Sequence, residues 1–219
     1  MAQIFHRSTN VISKVSLVAL FGLVVGGIGL VMAIERSPYV TRRGVVVEQA
    51  VKFSHHHHTA ALGIDCRYCH TSVETAAFAG IPPTETCMNC HKQIWVDSPM
   101  LEPVRASFRS GKPLRFTRVN DLPDFTYFNH SIHVAKGVGC VTCHGRVDEM
   151  PLLKRAASLQ MQWCLDCHRN PAPNLRPPEQ VTNMSWQPPS DDPDYGQRLM
   201  QAANIGDARR LTSCSTCHH

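Results

Sequence analysis

The chain has 219 residues, of which 43% are hydrophobic but only 7% aromatic, with 15 prolines, 13 glycines and few long periodic runs. This composition argues against a core of long regular elements and predicts short helices joined by irregular chain. A formal net charge of +5 is a weak basis for nucleic-acid binding, and we predict no nucleic-acid partner.

A long apolar segment lies near the N-terminus. Val15 to Ile34 contains no charged residue, and these twenty residues span about 30 Å as a helix, the thickness of a bilayer core. The run exceeds the apolar region of most signal peptides and no clear small-residue cleavage site follows it, so we predict a retained transmembrane anchor over residues 1–36 in contact with the lipid bilayer. Gly22 and Gly26 form a G-x-x-x-G pattern, which suits either docking of a second helix or the ordinary glycine content of spans.

Ten cysteines follow the anchor, all of them in C-x-x-C-H motifs. The five motifs are Cys66-Arg-Tyr-Cys69-His70, Cys87-Met-Asn-Cys90-His91, Cys140-Val-Thr-Cys143-His144, Cys164-Leu-Asp-Cys167-His168 and Cys214-Ser-Thr-Cys217-His218. Two cysteines at this spacing lie on one helical turn, where both thiols can add to the vinyl groups of one haem and the next imidazole can reach the iron. Disulfides do not require such histidines, and zinc sites do not require this adjacency. The sequence predicts five covalently bound haem c groups, with the motif histidines as proximal iron ligands.

Five haems would supply much of the buried apolar surface, because the 185 residues after Ile34 leave only 37 per haem. The predicted fold class is therefore a mostly α and irregular multihaem cytochrome c wrapped around a haem cluster, with one N-terminal transmembrane helix. Haem propionates also add negative charge that the formal +5 omits. Since haem c is attached outside the cytoplasmic membrane, we predict that the N-terminus lies inside and that residues 37–219 form a periplasmic domain.

An internal duplication precedes two of the motifs. Phe53-Ser-His55-x-x-His58 and Phe128-Asn-His130-x-x-His133 are 75 residues apart, which defines repeat units of about 53–95 and 128–170, with 214–218 as an appended fifth motif. The histidines that both units share are predicted distal iron ligands, since residues at i and i+3 share a helical face.

The first unit has two further histidines. His56 and His57 align with Ser131 and Ile132 in the second unit. We predict that they are solvated or contact propionates and do not bind iron.

The F-x-H-x-x-H pattern followed by C-x-x-C-H resembles the small multihaem cytochromes of the three- and four-haem class. That resemblance implies that the first histidine of each pair, His55 or His130, serves the haem of the motif that follows it. The second, His58 or His133, would reach another haem of the cluster.

A longer resemblance covers nearly the whole chain. The single anchor, the five motifs, IPPTETCMNCH and GVGCVTCHGRVDEMPLL…SLQMQWCLDCHRNPAP together resemble the pentahaem subunit of alternative complex III. This family implies a quinol-oxidising membrane complex with multispan quinol-binding subunits, an iron–sulfur subunit and a monohaem cytochrome. The pentahaem subunit would carry electrons towards a soluble electron carrier.

Four paired histidines leave one of five irons without a distal ligand. Met150, Met161 and His219 are the candidates, and both methionines lie between the motifs of the second unit. A thioether ligand would raise the potential of that haem relative to haems with two histidines, whereas the alternative is simple packing against a porphyrin. We predict a His/Met haem and favour Met150.

A different class of function is a free-standing, membrane-anchored quinol dehydrogenase that feeds a periplasmic reductase. Such proteins usually place their first motif soon after the anchor, but 31 residues separate Ile34 from Cys66 here, which favours the relay. We predict no catalytic site in the chain itself, because every motif ends in histidine and no nucleophile triad, phosphate loop or carboxylate pair stands out.

Overall fold

A computed structural model describes residues 4–218 of the protein. Residues 1–3 of the predicted anchor, and the candidate ligand His219, lie outside the described residues. The chain divides into two compact units, one that ends at Arg42 and one that begins at Arg43.

The first unit is dominated by one apolar helix. Helix α1 (Ser8–Arg36) is 29 residues long and none of its residues is buried. With a mean hydropathy of 2.7, the helical stretch that begins at Ser8 is the one part of the described chain that is long and apolar enough to cross a membrane. The backbone turns extended at Ser37, and a short helix α2 (Pro38–Thr41) follows. Open space surrounds the Cα atoms of Gly22 and Gly26, so docking of a second helix there stays a prediction.

The second unit consists of short helices joined by irregular chain. In chain order its α-helices are α3 (Cys66–Cys69), α4 (Thr84–His91), α5 (Glu102–Ser110), α6 (His130–Ala135), α7 (Cys140–His144), α8 (Met161–Arg169), α9 (Tyr195–Ala202), α10 (Ala208–Leu211) and α11 (Cys214–Cys217). A π-helical turn spans His56–Ala61, and 3-10 turns span Pro99–Leu101, Val147–Glu149, Ala172–Asn174 and Pro178–Gln180. Among the described residues, extended pairing is limited to isolated bridges. The predicted mostly helical and irregular fold is confirmed.

Every C-x-x-C-H motif lies on one of these short helices, as the spacing of its cysteines predicts. Helices α3, α7 and α11 begin at the first cysteine of their motif, whereas α4 and α8 carry their motif in the second half. Asp65 caps α3, because its carboxylate accepts a 2.8 Å hydrogen bond from the backbone N–H of Arg67. The helical turn brings both cysteines of a motif to one side of the chain.

The apolar core that the polypeptide forms by itself is small. Val51, Met88, Leu101 and Val104 form a buried cluster where α4 packs on α5. No large side chain among residues 4–218 is fully buried. A chain of this length that buries so few of its own side chains against each other has the construction expected of a wrapping around prosthetic groups.

Candidate haem-binding sites

The motif histidines are held by one recurring contact. The Nδ1 atoms of four of them lie 2.8–3.3 Å from backbone carbonyl oxygens, joining His70 to Gly80, His91 to Ile94, His168 to Leu211 and His218 to Phe125. Because a carbonyl oxygen only accepts, Nδ1 carries the ring proton and Nε2 keeps its lone pair for a metal. Such bonds also fix the orientation of each ring.

His144 has a side-chain partner in place of a carbonyl. Its Nδ1 lies 3.1 Å from Nδ2 of Asn120, whose own buried Oδ1 lacks a partner among the described residues. Turning this amide by half a rotation would let Oδ1 accept from Nδ1–H, which satisfies both groups. Burial, followed by the nearby His130 and His70, lowers the pKa of His144 to about 4. His144 is therefore neutral at physiological pH, as a metal ligand must be.

Three predicted distal histidines face motif histidines at one nearly constant distance. Ring centroids lie 6.2 Å apart for His58 and His91, 6.3 Å apart for His130 and His144, and 6.1 Å apart for His133 and His168. Two metal–imidazole bonds of about 2.0 Å each, together with the distance from each nitrogen to its ring centre, need a separation of about 6 Å. The rings are thus spaced to hold one iron between them.

The fourth predicted distal ligand, His55, lies near His70. Burial lowers the pKa of His55 to about 4, and the nearest charges that add to this effect are those of His70, His58 and His144. Its buried Nδ1 has no hydrogen-bond partner among the described residues. A buried neutral imidazole without a protein partner fits a ring held by another bond, such as one from Nε2 to a metal.

The phenylalanine of each repeat unit organises its two histidines. Phe53 stacks on His58 at 4.3 Å and meets His55 edge-on at 4.9 Å. In the second unit, Phe128 repeats both contacts with His133 at 4.8 Å and His130 at 4.7 Å. The sequence suggests that these rings pack on a porphyrin, but in the structure they hold the imidazoles.

The two units differ by one residue, and the structure shows where it goes. Eight positions separate His58 from Cys66, but only seven separate His133 from Cys140. The first pair lies on the π-helical turn His56–Ala61, whereas the second lies on the regular helix α6. A π turn absorbs a single inserted residue, so both pairs keep the same contacts with phenylalanine.

The extra histidines of the first unit are exposed and contact protein. Nδ1 of His56 lies 3.1 Å from the carbonyl oxygen of Asp148, and His57 stacks on Trp95 at 5.8 Å. Neither ring faces a motif histidine at the separation found for the predicted ligand pairs.

The two candidate methionine ligands lie in different surroundings. Met150 is 8% exposed, its Cε lies near the Cα of Gly145, and its carbonyl oxygen accepts from the backbone N–H of His56. Met161 is the first residue of α8 and is 64% exposed. The fifth distal ligand stays a prediction.

The five motifs form a continuous series in space. Contacts between cysteines join Cys66 with Cys140, Cys69 with Cys87, Cys143 with Cys167 and Cys164 with Cys217. The first of these is a hydrogen bond between two thiols. Read along these contacts, the motifs follow in the order Cys87, Cys66, Cys140, Cys164 and Cys214. The two repeat units therefore meet where Cys66 contacts Cys140, which we call the junction.

The alternatives to haem find little support in this geometry. All ten cysteines lie among the described residues and none forms a disulfide. Within residues 4–218, no three histidine, cysteine or acidic side chains converge as a group able to hold a metal ion. The donor sets, each with two thiols on one turn and facing imidazoles with free Nε2 atoms, fit covalently bound haem c.

No protein-family profile matches the chain. Among curated proteins, the chain is 34% identical over 98 residues to the multihaem cytochrome c subunit of menaquinone reductase from Nitratidesulfovibrio vulgaris, strain Hildenborough. The chain is similar to a multihaem cytochrome c. The match covers 44% of this chain and about half of the relative's length, 46%. It supports covalently bound haem c and a function in electron transport.

Proposed function

We propose that this chain is an electron-transfer subunit that carries electrons through five covalently bound haems, from a quinol-oxidising membrane complex to a soluble periplasmic acceptor. The observation that carries this proposal is the continuous series of motifs, in which facing imidazoles repeat at 6.1–6.3 Å. Bound haem supplies one-electron exchange between ferric and ferrous iron.

The ligand pairs follow from the facing rings. We assign one iron each to His55 with His70, His58 with His91, His130 with His144, and His133 with His168. In each pair for which both rings have an Nδ1 bond to a carbonyl or amide, these bonds aim Nε2 at the shared metal. His218 would hold the fifth iron together with Met150, Met161 or His219.

The protein would keep these irons six-coordinate and largely shielded from water. Residues buried with the haems favour rapid electron exchange, because a closed site changes little between its oxidised and reduced states. Electrons would enter and leave at the ends of the series, at the motif of Cys87 and the motif of Cys214, and cross between the repeat units at the junction.

The apolar helix α1 would anchor the chain in the cytoplasmic membrane, with the N-terminus inside and the haem domain in the periplasm. Its 29 residues suffice for one crossing. The resemblance to alternative complex III adds the expected partners. These are multispan quinol-binding subunits, an iron–sulfur subunit and a monohaem cytochrome of the same complex, and a soluble electron carrier.

The direction of electron flow has a second candidate. The curated relative is named as a subunit of a menaquinone reductase, which would take electrons to quinone and not from quinol. The same series of haems serves either direction, since electron exchange between neighbouring sites is reversible.

Gentle detergent extraction followed by identification of the co-purifying subunits tests the proposal. A multispan subunit together with an iron–sulfur protein supports it, whereas a chain that purifies alone and oxidises a menaquinol analogue unaided supports the free-standing quinol dehydrogenase. Reduction of the haems by menaquinol in the intact complex supports quinol oxidation. Menaquinone reduction by the pre-reduced complex, without the forward reaction, supports the reverse direction.

A further inference from the structure

Arg176 is a buried arginine beside the junction. Its residue is only 7% exposed, and the loop that carries it is tied to the chain before α7. The backbone N–H of Arg176 donates to Gly137 at 2.8 Å, and the backbone N–H of Cys140 donates to Val181 at 3.0 Å. The guanidinium therefore has a fixed place at the start of the Cys140 motif.

The guanidinium lies between a glycine and an aromatic ring. A Cβ atom added to Gly139 would lie 2.1 Å from Nε of Arg176 and 2.2 Å from Cζ. On its other side, Cζ lies 5.1 Å from the centre of the Trp186 ring, a cation–π arrangement. Only glycine at position 139 allows this close approach, because any side chain would occupy the space of the guanidinium.

No acidic side chain among residues 4–218 neutralises this charge. None of the ion pairs of the described residues includes Arg176. Its Nη1 donates to the carbonyl oxygens of Asn183 at 2.7 Å and Gln180 at 3.5 Å, and its Nε is buried without a protein acceptor. Burial lowers the pKa of Arg176, yet an arginine stays protonated in a protein. The junction thus holds a buried positive charge.

This charge lies next to two haem attachment points. Gly139 directly precedes Cys140, whose thiol shares a hydrogen bond with that of Cys66. Reduction of a ferric haem adds one electron and lowers its net charge by one. A nearby buried cation stabilises the reduced form more than the oxidised form, because the surrounding dielectric screens it weakly.

We propose that Arg176 raises the reduction potential of the haems attached at Cys66 and Cys140. This proposal rests on the proposed relay function. The middle of the series would then hold electrons more tightly than it would without Arg176, so that the two repeat units share electrons across the junction before passing them on.

Potentiometric titration of the full-length, detergent-solubilised protein tests this role. Arg176→Met should lower the potential of one or two of the five haems, with at least about a tenfold change in their ferrous-to-ferric ratio at a fixed potential, which is 59 mV for one electron. Arg176→Lys should retain most of the wild-type value, since it keeps the charge. The matched control is Arg198→Met, which removes an exposed arginine paired with Asp192 and should leave the titration unchanged.

Haem content by pyridine haemochrome separates this proposal from the proposed function. A wild-type protein with far fewer than five haems contradicts the relay, whereas five haems with an Arg176→Met titration identical to the wild type overturn the role of Arg176 alone. Should Arg176→Met fail to retain haem, Trp186→Leu decides. It opens the guanidinium to water without removing its charge, and it should lower the same potentials by a smaller amount, so an unchanged titration overturns the proposal.

Discussion

The imidazoles of His130 and His144 lie 6.3 Å apart with their planes only 9° from parallel. One ring begins the short helix α6 and the other ends α7, so two consecutive helices of one repeat unit face each other across the space of a single metal ion. Packing of apolar side chains would not separate two rings so evenly, and the same separation recurs at two further pairs. The predictions below test what this arrangement does.

Removing a distal imidazole should open one iron. We expect His133→Ala to convert about one haem in five from low spin to high spin without loss of covalent haem, because the attachment depends on the cysteines. Electron paramagnetic resonance and optical spectra measure the change. His57→Ala is the control, since this exposed ring stacks on Trp95 and faces no motif histidine. Equal effects of the two substitutions would contradict the assignment of His133.

Phe128 should position two ligands at once. It packs on both His130 and His133, and each aromatic contact contributes about 0.5–1.5 kcal/mol beyond the area it buries. We therefore expect Phe128→Leu to lower the free energy of unfolding by about 1–3 kcal/mol and to broaden the resonance signals of two haems. Phe108→Leu, which changes an exposed phenylalanine on α5, should do neither. A change in only one haem signal would argue against the shared role.

Asp65 should make the first motif sensitive to acid. Hydrogen bonds from Arg67 lower the pKa of Asp65 to about 2, so its stabilising effect is present above its unfolded value of about 3.9 and is lost as the pH falls towards 2. Asp65→Ala should lower stability at pH 7 by about 1 kcal/mol through loss of the helix cap.

The pH dependence distinguishes the cap from the charge. Asp65→Asn keeps an acceptor for the backbone N–H but does not titrate, so its unfolding free energy should change less than that of the wild type between pH 4 and pH 2. Chemical unfolding at each pH measures this difference. An identical pH dependence in the wild type and in Asp65→Asn would contradict the prediction.

The fifth iron should carry a thioether ligand. Near-infrared magnetic circular dichroism of the oxidised protein should show a His/Met band beside the bis-histidine bands. Met150→Leu should remove that band, and Met161→Leu, a change of the same kind at the more exposed methionine, should leave it. Loss of the band in Met161→Leu alone would identify Met161 as the ligand, whereas only bis-histidine bands in the wild type would favour His219.

Local chemistry explains what the sequence predicts well. The C-x-x-C-H spacing sets both cysteines on one turn, and the five short helices at these motifs match that expectation. The repeated F-x-H-x-x-H pattern singles out four histidines from thirteen, and the facing rings involve these residues and not His56 or His57.

Long-range contacts explain what the sequence leaves open. The junction joins Cys66 to Cys140 across the length of a whole repeat unit, and no local pattern predicts which motifs become neighbours. The buried position of Arg176 likewise depends on a loop that returns to Gly139 from more than 30 residues further along the chain. The contacts of Phe53 and Phe128 with imidazoles are a third case, since spacing alone does not distinguish packing on a ligand from packing on a porphyrin.

The central claim is that a thin polypeptide holds five haems by thioether bonds in one continuous series. A pyridine haemochrome assay on the denatured protein, from which unattached haem has been extracted, counts these groups per chain most directly. The account predicts five. A value far below five, in protein whose cysteines are free or disulfide-bonded, would contradict it.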